Sequence, residues 1–255
     1  MNMRWVQTAV AVVMGLAIVA ASAESAAKSK YPTTKPSGEP MLKIYHIEGR
    51  RSERIIWFCE EVGLPYKLIF KPGDFEGSMA LIKEINPLMP LAPTVQIGDE
   101  EPMMESGAIL QLLQERYAPG RLEPPPDSQD YPKYLQWLHF AEGSAGPRLA
   151  TEFLLKSVKG GEMPPIASSQ IGKAAQTLIY LEDYLSKHPY YGGQDFSIAD
   201  IMMYFQVQVV QVFMKTDMTP YPHLVAWAAT VAQRPAFKRM RKISLPNGPI
   251  AMPKV

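Results

Sequence analysis

The sequence predicts two unlike halves, α/β plus all-α: a unit of order βαβ-α-ββα over residues 41–118, then an all-helical unit over residues 129–245. Three observations carry that expectation. Short strand-like runs at Met41–His46, Tyr66–Phe70, Thr94–Ile97 and Pro102–Met104 all precede residue 118, interleaved with runs at helical spacing. Four prolines crowd Ala118 to Ser128, where apolar periodicity stops, so 119–128 reads as a linker. Beyond it, every periodic run has helical spacing.

Met41–His46 is the first strand. Ser52–Val62 is a helix with Ile55, Phe58, Cys59 and Val62 on one face, stopped by Gly63 and Pro65. Tyr66–Phe70 is the second strand, and strand-helix-strand within about thirty residues makes the two strands parallel. Ser78–Ile85 is a short helix ended by Asn86-Pro87, because a residue before proline avoids the helical region. Thr94–Ile97 and Pro102–Met104 pair as a hairpin across Gly98-Asp99.

That hairpin ends at Glu105-Ser106 and turns at once into a helix marked by Ile109, Leu110, Leu113 and Tyr117. Ser106 is placed to cap it. The free backbone N–H groups of such a junction suit a carboxylate, and Glu105 beside them suits an ammonium. Together they describe the end of an amino acid or small peptide. The plainer alternative is a cap beside a solvated acid. The order βαβ-α-ββα is that of a thioredoxin-like domain.

In the helical half, Tyr131–Phe140, Arg148–Val158, Ile171–Leu185 and Pro222–Gln233 read as helices, the last stopped by Arg234-Pro235. Ser197 with Asp200 three residues on is a capping box, stapled by Phe196 and Ile201. The helix it opens is apolar on nearly all sides and is expected to be buried, which makes Asp200 structural. Residues 246–255 form a tail.

A formal net charge of +1 over 255 residues gives no case for a nucleic-acid surface. A single cysteine, Cys59, excludes an internal disulfide framework, a cysteine-based metal site and Cys-x-x-Cys dithiol exchange. Its place on an apolar helix face makes it a core residue. The four histidines have no ligand spacing, so no metal is expected. Arg4, the apolar run Trp5–Ala21 and Ala21-Ser22-Ala23 read as a secretory signal peptide over residues 1–23, followed by a flexible tether over 24–40. The expected location is therefore exported. Two alternatives are a membrane tether through residues 5–21, if the leader is not cleaved, and a cytoplasmic form started at Met41.

Ala92-Pro93 directly before a strand, Glu105-Ser106 opening a helix, and the capped helix at Ser197–Asp200 resemble the soluble glutathione transferases over about Met41 to Ile243. Phe140–Ser144, Glu152–Leu155 and Met163–Ile166 resemble their fungal membrane-associated branch. The resemblance implies glutathione as co-substrate, conjugation to a small hydrophobic electrophile, a peroxidase side activity and a homodimer. It implies that Pro93 is cis, that the Ala92 backbone pairs with the cysteinyl part, and that Glu105 and Ser106 hold the γ-glutamyl end.

A thiol with pKa near 8.5 must be lowered by about two units to react at neutral pH, roughly 2.7 kcal/mol of anion stabilisation. Many family members carry a serine where this chain has Arg50. The remaining donors are Ser52, Tyr45 and the backbone amides near Arg50. Ser52 reads equally as a helix cap and Tyr45 as a core strand residue. Arg50 and Arg51 suit a positive field or the glycyl carboxylate. The loop Asn86–Pro93 lacks the usual glycine and basic residue. Phe153, Tyr204 and Met214 are candidate walls of an electrophile site between the domains. The alternative function is a non-catalytic glutathione- or ligand-binding module on the same fold.

Overall fold

The computed structural model describes residues 42–157 and 164–248. The leader and tether expected over residues 1–40, and the tail beyond residue 248, lie outside the described residues. The described residues belong to one compact unit, whose first half runs β1 (Leu42–Tyr45), α1 (Glu53–Val62), β2 (Tyr66–Ile69), α2 (Phe75–Ile85), β3 (Thr94–Ile97), β4 (Met103–Met104) and α3 (Ser106–Tyr117). The sheet order is β2-β1-β3-β4. β1 is parallel to β2, as a strand-helix-strand crossover requires, and antiparallel to β3. Gly63 closes α1 at φ 71°, a left-handed position that costs a glycine nothing.

α2 begins three residues earlier than the sequence predicts. Its true start is an Asp74 cap whose Oδ1 accepts the Gly77 N–H at 2.8 Å. Phe75 in its first turn is 48% exposed, so this turn has no apolar stripe to find.

The second half holds α4 (Tyr131–Phe140), a π-turn (Ala141–Ala145), α5 (Gly146–Ser157), the short α6 (Pro165–Ser168), α7 (Lys173–Leu185), α8 (Ile198–Gln208) with a second π-turn (Val209–Phe213), α9 (Pro222–Ala232) and α10 (Pro235–Ser244). α10 was not predicted. Arg234-Pro235 reads as the stop of the preceding helix, yet Pro235 is the first residue of α10, whose apolar positions Ala236, Phe237, Met240 and Ile243 recur at helical spacing among Lys238, Arg239, Arg241 and Lys242. Three of its surroundings' cations find carboxylates on α1: Arg234–Glu61 and Arg239–Glu60 at 2.6 Å, and Arg241–Glu53 at 2.9 Å. The basic side of the helix is what clips it to α1.

One buried cluster crosses both halves, with Ile44, Trp57, Phe58 and Leu110 from the first and Trp137, Ile201 and Met202 from the second. α1 lies between the sheet and the helices, which is why every residue from Glu53 to Cys59 is buried, charged ones included. The linker is seated too: Leu122 is buried and its carbonyl accepts the Ile198 N–H at 3.0 Å.

The capping box is present: Asp200 Oδ2 accepts the Ser197 N–H at 2.9 Å, and Ser197 Oγ accepts the Ala199 N–H at 3.2 Å. Asp200 also accepts the Tyr191 N–H at 2.8 Å and the Trp227 Nε1–H at 2.9 Å. It joins three segments as well as capping one.

Cys59 is 1% exposed, and burial pushes its thiol well above the usual cysteine range. We expect native protein to resist alkylation at Cys59 and to react only on unfolding; fast labelling under native conditions, read by mass spectrometry, would contradict this burial. No helix among the described residues is long and apolar enough to cross a membrane.

Candidate functional site

The sheet register brings the three candidate stretches to one edge. Tyr45, the last residue of β1, pairs with Thr94, the first of β3, and Thr94 pairs with Met104, the last of β4. Continuing each strand by one residue sets His46, Pro93 and Glu105 side by side. Stretches far apart in the chain therefore converge where the strands end and two helices begin, the position at which α/β sheets take ligands.

At the β4–α3 junction, the first bond of the helix runs from the Ile109 N–H to the Glu105 carbonyl at 2.9 Å. The N–H groups of Ser106, Gly107 and Ala108 have no acceptor within the helix and are available to an anion. The cap position belongs to Glu105, which corrects the expectation that Ser106 caps. Glu105 has φ 73°, a left-handed backbone rare for a residue with a Cβ, and its exposed carboxylate has no partner among the described residues.

Ser106 is 3% exposed because its hydroxyl is engaged below the surface: it accepts from Arg54 Nη1 at 2.9 Å and lies 3.7 Å from Met202 Sδ. Arg54 is a hub that the sequence did not disclose. At 2% exposure it also pairs with Glu142 Oε1 and donates from Nη2 to the Met202 carbonyl at 2.6 Å. Burial lowers its pKa to about 10, leaving it charged at neutral pH. Glu142 Oε1 further accepts from Arg51 Nε at 2.9 Å and Gln206 Nε2 at 3.0 Å, and the Arg54 and Arg51 guanidiniums hold its carboxyl below the usual range in spite of burial. Gly146 leaves room for the cluster, since a Cβ there would stand 3.2 Å from Gln206 Nε2. A signal for Arg54 exists in the sequence. It has an arginine at i−4 and Phe58 at i+4, so its own helix offers it no acid.

Across the edge, the Ala92–Pro93 peptide is cis, and Ala92 makes no hydrogen bond among the described residues. Pro93 is buried and Ala92 half-buried. In the loop from β1 to α1, Ser52 is 0% exposed. Its Oγ lies 2.8 Å from His46 Nδ1 and 3.2 Å from the Ile47 N–H. It makes no side-chain cap bond, contrary to the cap alternative. The amides of Arg51 and Ser52 have no partner among the described residues. Arg50 is exposed, with its guanidinium 5.9 Å from the Phe75 ring. Tyr45 is 8% exposed and packs with Ile47, Ile82 and Ala92; burial raises its pKa, assisted by the Glu84 charge.

The three candidate electrophile residues fall on different neighbours. Tyr204 is enclosed by Trp57, Trp227 and Phe237, so it is part of the packing between the halves. Met214 ends the second π-turn and packs on the same core, while Phe153 is half-buried on α5 without a ring contact among the described residues. Nor do any three His, Cys, Asp or Glu side chains among the described residues stand close enough to hold a metal.

The family models named "Glutathione S-transferase, N-terminal domain" and "Glutathione S-transferase, C-terminal domain" match residues 40–115 and 163–235. The chain belongs to the glutathione S-transferase family. It is 27% identical over 212 residues to glutathione S-transferase 3 of Schizosaccharomyces pombe, covering 78% of this chain and 86% of that one. It is 28% identical over 203 residues to the disulfide-bond oxidoreductase YfcG of Escherichia coli, covering 77% and 92%. The crystal structure of glutathione transferase URE2P6 from Phanerochaete chrysosporium, in complex with oxidized glutathione, has a TM-score of 0.67 at 24% identity, covering 82% of this chain and 98% of that one. In this transferase family member the fold is the expected one: a thioredoxin-like domain followed by a helical domain.

Proposed function

We propose that this transferase binds glutathione along the edge formed by Ala92-Pro93, Glu105-Ser106 and the loop from Tyr45 to Ser52, and adds its thiolate to a small hydrophobic electrophile or a peroxide. The observation that carries the proposal is the strand register, which sets Pro93 beside Glu105 and both beside the end of β1. The γ-glutamyl carboxylate is assigned to the open amides of α3 and the ammonium to Glu105. Because Ser52 Oγ is committed to His46 and Ile47, thiolate stabilisation falls to the amides of Arg51 and Ser52 at the start of α1, with Arg50 adding positive field. Tyr45 is the alternative donor. The electrophile site between the halves, with Phe153, Tyr204 or Met214 on its walls, belongs to the same proposal, as do pairing into a homodimer and an exported or membrane-tethered location.

The test uses protein lacking residues 1–40 on immobilised glutathione. Glu105→Ala and Ser106→Ala are each expected to weaken retention about tenfold, ~1.4 kcal/mol; unchanged retention in both would sink the assignment. A second reading, a non-catalytic glutathione-binding module, is favoured by Arg50 standing where a hydroxyl is usual. Retention without conjugation of a chloro-nitroaromatic, peroxide reduction or thiol exchange would select it.

A further inference from the structure

The loop between β1 and α1, residues 46–52, is held from its buried side by the last turn of α10, almost two hundred residues away in the chain. Two separate relays make the connection. In the first, His46 Nε2 lies 2.9 Å from the Ser244 carbonyl oxygen, and His46 Nδ1 lies 2.8 Å from Ser52 Oγ. A carbonyl only accepts, so Nε2 carries the proton of a neutral ring, and Nδ1 accepts the Ser52 hydroxyl. Ser52 Oγ in turn accepts the Ile47 N–H at 3.2 Å. His46, Ser52 and Ser244 are all 0% exposed, so no water competes for these bonds.

In the second relay, Arg241 Nη1 donates to Glu53 Oε2 at 2.9 Å, and Glu53 Oε1 accepts the Gly49 N–H at 3.2 Å and faces Ser244 Oγ at 3.4 Å. Glu53 is 5% exposed, so its charge depends on these partners. The loop has other ties that do not reach α10: Glu48 Oε2 accepts the Gly73 N–H at 2.8 Å, the Arg50 N–H meets the Ile47 carbonyl at 3.2 Å, the Ser52 hydroxyl lies 3.3 Å from that same carbonyl, the His46 N–H meets the Ile69 carbonyl at 3.0 Å, and Arg51 pairs with Glu142 at 2.9 Å. Two anchors of the loop, the buried Ser52 hydroxyl and the half-buried Gly49 amide, thus connect through His46 and Glu53 to residues 241–244.

We infer that the C-terminal turn of α10 is a positioning element for the thiol-activating loop, acting through His46 and Glu53. The inference rests on the glutathione reading above. Neither residue touches the bound thiol. They set the direction of the Arg51 and Ser52 amides, and a shift of about 1 Å in such donors can cost up to a hundredfold in rate. The role also explains why an exposed, arginine-bearing loop is built on a fully buried histidine and a nearly buried glutamate.

The test measures the pKa of glutathione bound to the enzyme, from thiolate absorbance against pH, together with kcat and KM. His46→Phe and Arg241→Met are expected to raise the bound thiol's pKa by about one unit, lowering kcat near neutral pH about tenfold while KM for glutathione changes less than about twofold. Arg241→Lys, which restores the cation, is expected to recover most of the loss. If His46→Phe does not fold, His46→Asn replaces it, since an Asn amide reaches Ser52 but not Ser244. Folded variants that retain glutathione with unchanged thiol pKa and kcat overturn the brace alone. A wild-type protein that does not bind glutathione overturns the reading of the site, and the brace with it.

Discussion

Arg54→Met is expected to lower the unfolding free energy by about 3–5 kcal/mol, the cost of breaking a buried ion pair from one side. Methionine fills the space of the stem but leaves the Met202 carbonyl, the Ser106 hydroxyl and part of the Glu142 carboxylate without their donor. Because Arg51 and Gln206 still hold Glu142, the loss belongs at the lower end of that range. Urea unfolding followed by tryptophan fluorescence measures it. Glutathione retention is expected to fall as well, since Ser106 loses the bond that orients it. A change below about 1 kcal/mol would show that the guanidinium is dispensable, and that packing alone joins α1 to α8.

Asp200→Asn is expected to cost about 3 kcal/mol near neutral pH and, more tellingly, to expose an acid sensitivity that the wild type conceals. The amide can accept where Oδ1 accepted from Tyr191 and Trp227, but its NH2 faces the Ser197 N–H that Oδ2 used to accept. Burial raises the Asp200 carboxyl from 3.8 to about 6, and lowers the His46 imidazole from 6.5 to about 4. The two groups act oppositely. A raised acid favours the fold at low pH, and that contribution is lost as pH rises through about 6. A depressed histidine favours the fold above 6.5, and that contribution is lost as pH falls toward about 4. Each gap is worth ~3 kcal/mol, so between about pH 4 and 6.5 they nearly cancel. Without Asp200, stability is expected to drop by about 2–3 kcal/mol across this window. Without His46, it is expected to rise as the pH falls. The carboxyls of Glu142, Glu152 and Glu182, held below their usual range, give all three proteins the same decline at lower pH. Denaturant midpoints between pH 4 and 7 that shift in parallel for the three proteins would refute the opposition.

The architecture was legible in the sequence because it follows local rules: period and turn chemistry for the strands and most helices, and the Ser197–Asp200 capping box for the buried helix. Glu105-Ser106 and Ala92-Pro93 were legible for the same reason, since each is a short junction with its own chemistry. Tertiary structure decided everything that depends on what lies across from a residue. In the sequence Ser52 reads as a free hydroxyl or a cap and Ser106 as a cap; in the fold His46 lies against the first and Arg54 beneath the second. Arg54, Glu142 and Gln206 lie far apart in the chain, and no pattern on one helix names a partner on another. α10 stayed hidden because Pro235, which reads as a stop for the helix before it, is also a favoured first residue of the next one. Sequence alone determined where the backbone turns and which ends it offers a ligand. Only folding decided which buried charges meet, because pairing in a low-dielectric interior depends on distances of a few ångströms between segments that the chain keeps far apart.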